Sequence, residues 1–170
     1  MANLGQFFDY KKKLAMLILN DPECVDLISN GTYTGQLPAA SLLEQVLSDG
    51  RYVPGQVHLY DYIPDVMSDS RVHVTIEIED DRAYTPAVAG YTIVIIIMVP
   101  TDLMNMYGNI RRDKLAARID TLINGSTTFG FGRLERRAGS VNIPAPKVRS
   151  RTLRFFVKDW NMRDKELGNH

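Results

Sequence analysis

The chain has 170 residues, 45% of them apolar, and its 20 Lys+Arg balance 20 Asp+Glu. This length and composition predict one globular domain. The single cysteine excludes an internal disulfide, and no apolar run is long enough for a membrane span, so we expect a soluble protein that needs neither an oxidising compartment nor a membrane.

The first part of the chain predicts helices. Apolar spacing over 4–19 is typical of an amphipathic helix. A second, short helix is predicted next, with Asp21 as its N-cap and Pro22 at its first position. A third is predicted over 38–50, and the proline-bearing residues 51–70 suit an extended segment laid over a core.

Two strands and a helix follow. Residues 71–79 alternate apolar with polar and predict a half-buried strand. The run 91–99 is β-branched almost throughout and predicts a central strand covered on both faces. Asn109 is the predicted cap of a helix that carries apolar residues at helical spacing and closes at Gly125.

The C-terminal part predicts two more strands. A short strand is expected over 133–137, a loop over 138–147 and a final strand over 149–160. The resulting order, β-β-α-β-β after N-terminal helices, predicts an α+β domain over 1–160 on a small, mostly antiparallel sheet. Residues 161–170 read as a polar tail.

The sequence offers little catalytic chemistry. The histidines lack the spacing of a metal pair, and no phosphate loop or nucleophile elbow is present. Asp65, Glu77 and Glu79 superficially resemble the metal-binding carboxylates of a nuclease, but the position two after Glu77 is Glu79 rather than a lysine. We therefore expect a non-enzymatic protein with no cofactor, no metal site and no catalytic residue.

Charge is sorted along the chain. Residues 1–110 hold 6 Lys+Arg and 14 Asp+Glu, whereas 111–170 hold 14 and 6. Opposite fields on one protein steer nucleic acid to the basic side or pair copies head to tail. The basic segment 129–160 interleaves arginines with aromatic residues, so sequence-independent nucleic-acid binding is one hypothesis.

A set of segments is distinctive in combination: Asp61-Tyr62-Ile63-Pro64-Asp65, the two apolar strands, 108–115, 119–126, and the glycine-rich turn with the final strand. In this order they resemble small neck or tail-completion proteins of tailed bacteriophages, across most of 4–160 and more specifically across 60–135. The likeness to tail terminators implies a ring, commonly hexameric, between the tail tube and the head-side connector, with double-stranded DNA passing through its lumen. It implies assembly in the host cytoplasm and residence in the virion. A head-closure stopper or an adaptor ring is the alternative.

Segregated charge suits a ring, because a head-to-tail contact joins two different patches of the same protein. The expected acidic side of the contact comprises Glu77, Glu79, Asp80 and Asp81. The expected basic side comprises Arg111, Arg112, Arg133, Arg136 and Arg137. Candidate DNA-facing or docking residues are Lys147, Arg149, Arg151 and Arg154.

Two further expectations concern the surroundings of these residues. The loops 80–90 and 138–147 are predicted docking elements, because long loops on a small sheet domain usually carry contacts. The competing hypothesis is that strands 71–79 and 149–159 lie side by side and neutralise each other within one subunit.

Overall fold

A computed structural model describes residues 4–29, 56–59, 71–80, 88–106, 108–129 and 132–160. Their helices are α1 (Leu4–Leu19), α2 (Pro22–Ser29) and α3 (Arg111–Ile123), with a 3-10 turn at Thr101–Leu103. Their strands are β1 (Val57–His58), β2 (His73–Asp80), β3 (Val88–Pro100), β4 (Asn105–Met106), β5 (Asn109–Ile110), β6 (Glu135–Ala145) and β7 (Val148–Trp160). The predicted helix over 38–50 and most of the predicted segment 51–70 lie outside the described residues.

The main sheet has the strand order β1-β2-β3-β7-β6. β1 runs parallel to β2, and the other neighbours are antiparallel. Helix α3 follows β5, precedes β6 and packs on β3 and β7. The predicted α+β class, the N-terminal helices and the β-β-α-β-β order are confirmed. No helix in the described ranges is long and apolar enough to cross a membrane.

Three predicted helix ends can be compared with the structure, and two of them are confirmed. The Cys24 backbone N–H donates to Asp21 Oδ1 at 2.9 Å, so Asp21 caps α2 as predicted. Gly125, with φ +80°, follows α3 where a left-handed residue is expected. The predicted cap at Asn109 is wrong: α3 begins at Arg111, and Ile110 occupies the cap position without a side-chain hydrogen bond.

The core lies between the sheet and the helices. Alternate residues of β3 point into it, and Ile93, Ile95 and Ile97 are completely buried against side chains of α1, α3 and β7. On the opposite face Val94 and Met98 are also buried, as the β-branched run predicts for a central strand.

Strand β2 is more buried than the half-buried strand that the sequence predicts. His73 and Thr75, on the face predicted to be wet, are 0% and 1% exposed. Further along the strand Glu77 is partly exposed and Glu79 is exposed. The polar face of β2 therefore reaches solvent only in its C-terminal half.

The predicted loop over 138–147 is wrong, because β6 continues from Glu135 to Ala145 and pairs with β7. A two-residue turn, Pro146-Lys147, joins the strands, since Ala145 faces Val148. One extra residue interrupts the register between Arg137 and Ser140, and another between Asn142 and Ala145. These bulges destroy the period-two pattern that identifies a strand in a sequence.

Candidate assembly surface

Strand β6 forms an edge of the sheet and is exposed along its length. Every residue from 135 to 144 is exposed, although the strand pairs with β7. Two of its aliphatic side chains are strongly exposed, Val141 at 55% and Ile143 at 65%. A strand that buries so little of its own surface gains little hydrophobic stabilisation within the subunit.

The upper half of β6, towards the hairpin turn, is an irregular edge. A Cβ built on Gly139 would lie 2.3 Å from the Thr152 carbonyl oxygen, so β6 approaches β7 too closely there for any side chain. Pro144 lies within the second bulge and has no N–H to donate. Bulges and proline are features that prevent an edge from pairing with another chain. The regular part of the β6 edge is therefore its first segment, Glu135 to Arg137.

Of the predicted charged residues, Glu77 and Glu79 lie on β2 and Arg136 and Arg137 lie on β6, on opposite sides of the sheet and at the same level. One cross-strand row runs from Glu77 through Val94 and Arg154 to Arg137. The next row runs from Glu79 through Thr92 and Phe156 to Glu135. A subunit with an acidic edge at β2 and a basic edge at β6 has two unlike lateral surfaces.

Between the edges, on the face away from the core, lies a shallow groove of about 400 Å³. It is lined by Glu77, Ile78, Glu79, Val94, Ile96, Ser140, Asn142, Thr152 and Arg154. Its two acidic residues already have cationic partners. Lys11 Nζ contacts Glu77 and also donates to the Leu59 carbonyl, and Arg154 Nη1 lies 2.7 Å from Glu79 Oε2.

The competing hypothesis is wrong about strand placement, because β3 lies between β2 and β7. One pair of residues, Glu79 and Arg154, nevertheless neutralises charge across β3. Other predicted site residues are paired within their own half of the chain. Arg136 Nη1 lies 3.0 Å from Asp120 Oδ2, and Asp113 Oδ1 receives both Arg151, at 2.7 Å, and Arg112, at 3.1 Å. The two arginines hold the pKa of Asp113 below its ordinary value against the opposing effect of desolvation.

Arg111 is a structural residue in this subunit. It is 7% exposed, and its guanidinium donates to the Leu27 carbonyl at 3.0 Å and to the Leu103 carbonyl at 2.9 Å. Desolvation lowers its pKa. A side chain engaged in this way is not available to a partner, and we leave Arg111 out of the proposed contact.

In the described ranges no ion-pair partner is found for Arg133, which precedes β6, or for Arg137, which lies on β6. Arg133 is exposed. The Arg137 guanidinium lies 3.9 Å from the centroid of the Phe156 ring and makes a cation–π contact with it. Lys147 lies in the hairpin turn, and Arg149 follows it on β7 and donates to the Pro146 carbonyl at 3.3 Å. The side chain of Asp80 and all of Asp81 lie outside the described residues.

A second ion cluster, not singled out by the sequence pattern, joins α2 to α3. Arg118 donates to both carboxylate oxygens of Asp21, with Nε 3.0 Å from Oδ1, and it also contacts Glu23, as does Lys114. The hydrogen bond from Arg118 lowers the pKa of Asp21 to about 2. Residues 21 and 118 are far apart in sequence, so only helix packing reveals the pair.

The core also brings His58 and His73 together, with 3.1 Å between Nε2 and Nδ1. The parallel pairing of β1 with β2, which the sequence does not predict, causes this contact. No group of three potential metal ligands occurs among the described residues. Burial raises the pKa of the Cys24 thiol, so this cysteine has little thiolate character.

The nucleic-acid hypothesis needs exposed aromatic rings. Phe129 and Phe155 are completely buried, and Phe156 is 4% exposed beneath Arg137. The side chains of Phe131 and Trp160 lie outside the described residues. Phe129 and Phe155 are therefore core residues, and Phe156 is covered by Arg137 on the opposite face of the sheet, so none of these rings is an exposed stacking platform.

Comparisons with known proteins give one family match. The YomW family model matches residues 21–157. No curated protein matches the chain significantly. Among solved structures, a chain from the virion of a native gene transfer agent particle has 14% sequence identity and a TM-score of 0.49, covering 87% of this chain and 92% of that chain.

Proposed function

The chain belongs to the YomW family, which is phage-associated, and we propose that it is a structural virion protein that forms a ring at the head–tail junction of a tailed bacteriophage. Within that site we propose the role of tail terminator, which caps the tail tube and docks to the head-side connector. The ring is a homo-oligomer, most simply a hexamer, with double-stranded DNA passing through its lumen. Assembly takes place in the host cytoplasm.

The observation that carries this proposal is the pair of unlike sheet edges. The β2 edge presents Glu77 and Glu79, whereas the β6 edge presents Arg137 and, just before it, Arg133. A two-fold dimer joins the same patch of both subunits, but unlike complementary patches form head-to-tail contacts, which give rings when the rotation between copies closes. The exposed strand β6 is then the element that a neighbouring copy covers.

A non-enzymatic role agrees with the groups that the structure describes. Glu77 and Glu79, which the nuclease hypothesis requires, each contact a cation of the same subunit. The Cys24 thiol is buried. These positions supply folding contacts and surface charge.

The alternatives within the neck are a head-closure stopper and an adaptor ring, and the sheet edges suit all three, because each is a ring. The choice of terminator rests on the resemblance of the sequence segments. The free nucleic-acid-binding module is less well supported, because the described aromatic rings of 129–160 are buried and Arg151 and Arg154 are paired with carboxylates.

Localisation within particles tests the proposal directly. The protein would carry an affinity tag and be detected by immunogold labelling of purified virions and of separated heads and tails. We expect gold at the junction of complete particles and at one end of isolated tails. Label at the head-side portal of tailless heads would favour a stopper or adaptor.

Assembly of the purified protein gives a second test. Native mass spectrometry and negative-stain images would be recorded for the protein alone and with purified tail tubes. We expect a closed ring alone or at tube ends. A protein that stays monomeric, never binds tube ends and is absent from virions would refute the proposed function.

A further inference from the structure

We infer that the end of the sheet at the β6–β7 turn is a docking surface for the end of the tail tube, at which the tube protein presents an apolar centre with an acidic rim. The surface consists of Ile110, Val141, Ile143, Lys147 and Arg149, and we call it the hairpin patch. This inference deepens the proposed function and rests on it, because the contact with the tube defines the proposed role.

The hairpin patch holds three of the four large apolar side chains that are strongly exposed in the described ranges. Ile110 is 42% exposed, Val141 55% and Ile143 65%. Single exposed aliphatic residues are common on protein surfaces, but a group of them rimmed by polar residues indicates a contact with another protein.

The fold brings these three side chains to one place. Val141 is the cross-strand neighbour of Arg151, whose Nη1 lies 2.7 Å from Oδ1 of Asp113 in the first turn of α3. Ile110 occupies the cap position of the same helix. Ile143 is two residues, about 7 Å, from Val141 along β6. Ile110 and Val141 therefore lie on either side of one ion pair.

The turn that carries the patch is fixed within the subunit. The Lys147 carbonyl accepts two hydrogen bonds from Thr101, one from its backbone N–H and one from its Oγ1, each 2.9 Å long. Pro144 and Pro146 restrict the backbone on the β6 side of the turn. A preformed surface loses little conformational entropy on binding, so more of the gain from apolar burial appears as affinity.

The rim of the patch is basic. Lys147 is exposed and Arg149 is partly exposed. The Arg149 guanidinium donates to the carbonyls of Pro146 and Val148, each at 3.3 Å. Hydrogen bonds to neutral carbonyls leave its positive charge uncompensated.

The nearby acidic residues do not cancel the charge of this rim. Arg112 and Arg151 share one carboxylate, that of Asp113. The other acidic residue near the turn is Asp102, which is exposed in the 3-10 turn beside Lys147. Four cations therefore stand against two carboxylates, and an acidic partner is attracted to this end of the subunit.

These features select the occupant. Double-stranded DNA matches the basic rim, but its phosphate surface offers nothing apolar to cover Val141 and Ile143. A second copy would bring like charges together, whether it met the patch with its own patch or with the remaining exposed apolar residue of the described ranges, Phe8. Lys12 Nζ lies 4.3 Å from the centroid of that ring. A different protein with an acidic rim suits both features.

The hairpin patch is separate from the charged residues assigned to a neighbouring copy. Val141 lies on the face that α3 covers, because its neighbour Arg151 reaches α3. Arg137 packs on Phe156 on the opposite face of the sheet. One subunit can therefore contact a neighbouring copy and the tube at the same time.

A double variant, Val141→Thr/Ile143→Thr, tests the apolar centre. Threonine keeps the β-branched shape that suits a strand but replaces apolar surface with a hydroxyl group. We expect co-sedimentation with purified tail tubes to show affinity reduced by about 10- to 100-fold, with ring formation and melting temperature unchanged. Asn142→Thr, on the opposite face of the same strand, is the matched control and should bind tubes as the wild type does.

The rim is tested by Arg149→Gln, which should weaken tube binding and make it less sensitive to NaCl. A photo-cross-linking residue, Ile143→p-benzoylphenylalanine, identifies the neighbour in assembled particles without weakening the rim. We expect a product with the tube protein, and mass spectrometry of the linked peptide should place acidic residues beside the linked position.

Three results would overturn the inference while the virion role stands. The first is a double threonine variant that binds tubes as tightly as the wild type. The second is cross-linking of position 143 to another copy or to a head-side protein. The third is a protein that is present at the junction of virions but binds no tube ends. If the protein forms no ring, binds no tube ends and is absent from particles, the proposed function and this inference fail together.

Discussion

Gly139 is the residue whose identity the hairpin most directly requires. A Cβ at this position would lie 2.3 Å from a backbone oxygen of β7, and backbone cannot move aside as a flexible side chain can. We expect Gly139→Ala to lower the free energy of unfolding by about 1–3 kcal/mol, the usual cost of overpacking. Urea denaturation measures the change. Gly132→Ala is the matched control, since a Cβ there meets nothing within 4 Å. Equal midpoints for the two variants would contradict the close approach of β6 to β7.

Asp21 predicts a definite response to acid. Its folded pKa is lowered to about 2 by Arg118, below the unfolded value of about 3.9. Because the folded pKa is the lower one, the ion pair stabilises the protein fully above about pH 5 and loses its contribution as pH falls from about 4 towards 2. Asp21→Asn keeps a capping side chain but cannot titrate, so its melting temperature should fall less steeply than that of the wild type in this window.

Melting curves at several pH values between 5 and 2 check this expectation. Asp9→Asn, a change at an exposed position of α1, is the control and should keep the wild-type slope. Parallel pH profiles for the wild type and Asp21→Asn would show that the pair does not stabilise the fold.

At the scale of elements, the sequence predicts the helices and strands that have one regular hydrophobic pattern or a local capping signal. The β-branched run of β3 and the cap of α2 are predicted because burial on both faces and an N-cap have local signatures. Strand β6 is missed because its two bulges break the alternation, and Gly139 and Pro144 resemble loop residues although they fit bulges at an edge. Strand β1 is missed because two residues carry no period.

The candidate site was predicted in part for the same reason. Charged residues on β2 and β6 are visible in the sequence, but their partners depend on strand order and helix position. The salt bridge between Glu79 and Arg154 needs β7 beside β3, and the buried role of Arg111 needs α2 against α3. A basic residue on a helix face that the sequence predicts to be exposed can therefore be buried.

Arg111 gives the prediction for this scale. It donates to the carbonyl of Leu27 in the last turn of α2 and to the 3-10 turn at Leu103, so it joins two elements and satisfies carbonyl groups that helix ends leave open. Lysine is a point charge that cannot reproduce the planar fork of the guanidinium. We expect Arg111→Lys to destabilise the protein by about 1–3 kcal/mol, as for a buried hydrogen bond left unmade.

Urea denaturation of Arg111→Lys and of Arg133→Lys provides the comparison. Arg133 is exposed, and its replacement should change stability by less than about 0.5 kcal/mol. If Arg111→Lys is as stable as the control, the guanidinium contacts with α2 and the 3-10 turn contribute little.

At the scale of the whole molecule, the charge split of the sequence has two different outcomes. Some of the charged residues are paired within the subunit. Arg118 and Lys114 of α3 pair with Asp21 and Glu23, and Arg154 pairs with Glu79. Other charged residues remain on the surface without an ion-pair partner in the described ranges, namely Arg133 and Arg137 near the β6 edge. A subunit can therefore be neutral overall and internally paired while its two sheet edges still differ in sign.

Salt should separate these two uses of charge. The internal pairs are in direct contact, are partly shielded from solvent and individually contribute little, so raising NaCl from 0.1 to 1 M should change the free energy of unfolding by less than about 1 kcal/mol. Association through the edges depends on longer-range attraction, and the screening length falls over the same interval from about 10 Å to about 3 Å. We expect the association constant to fall by about tenfold or more. Urea denaturation and sedimentation velocity, run on the same samples, measure the two responses. The Arg137→Gln variant should show a weaker salt dependence of association than the wild type and the same salt dependence of unfolding. If unfolding responds to salt as strongly as association does, the exposed edge charges stabilise the subunit itself and are not reserved for a neighbouring copy.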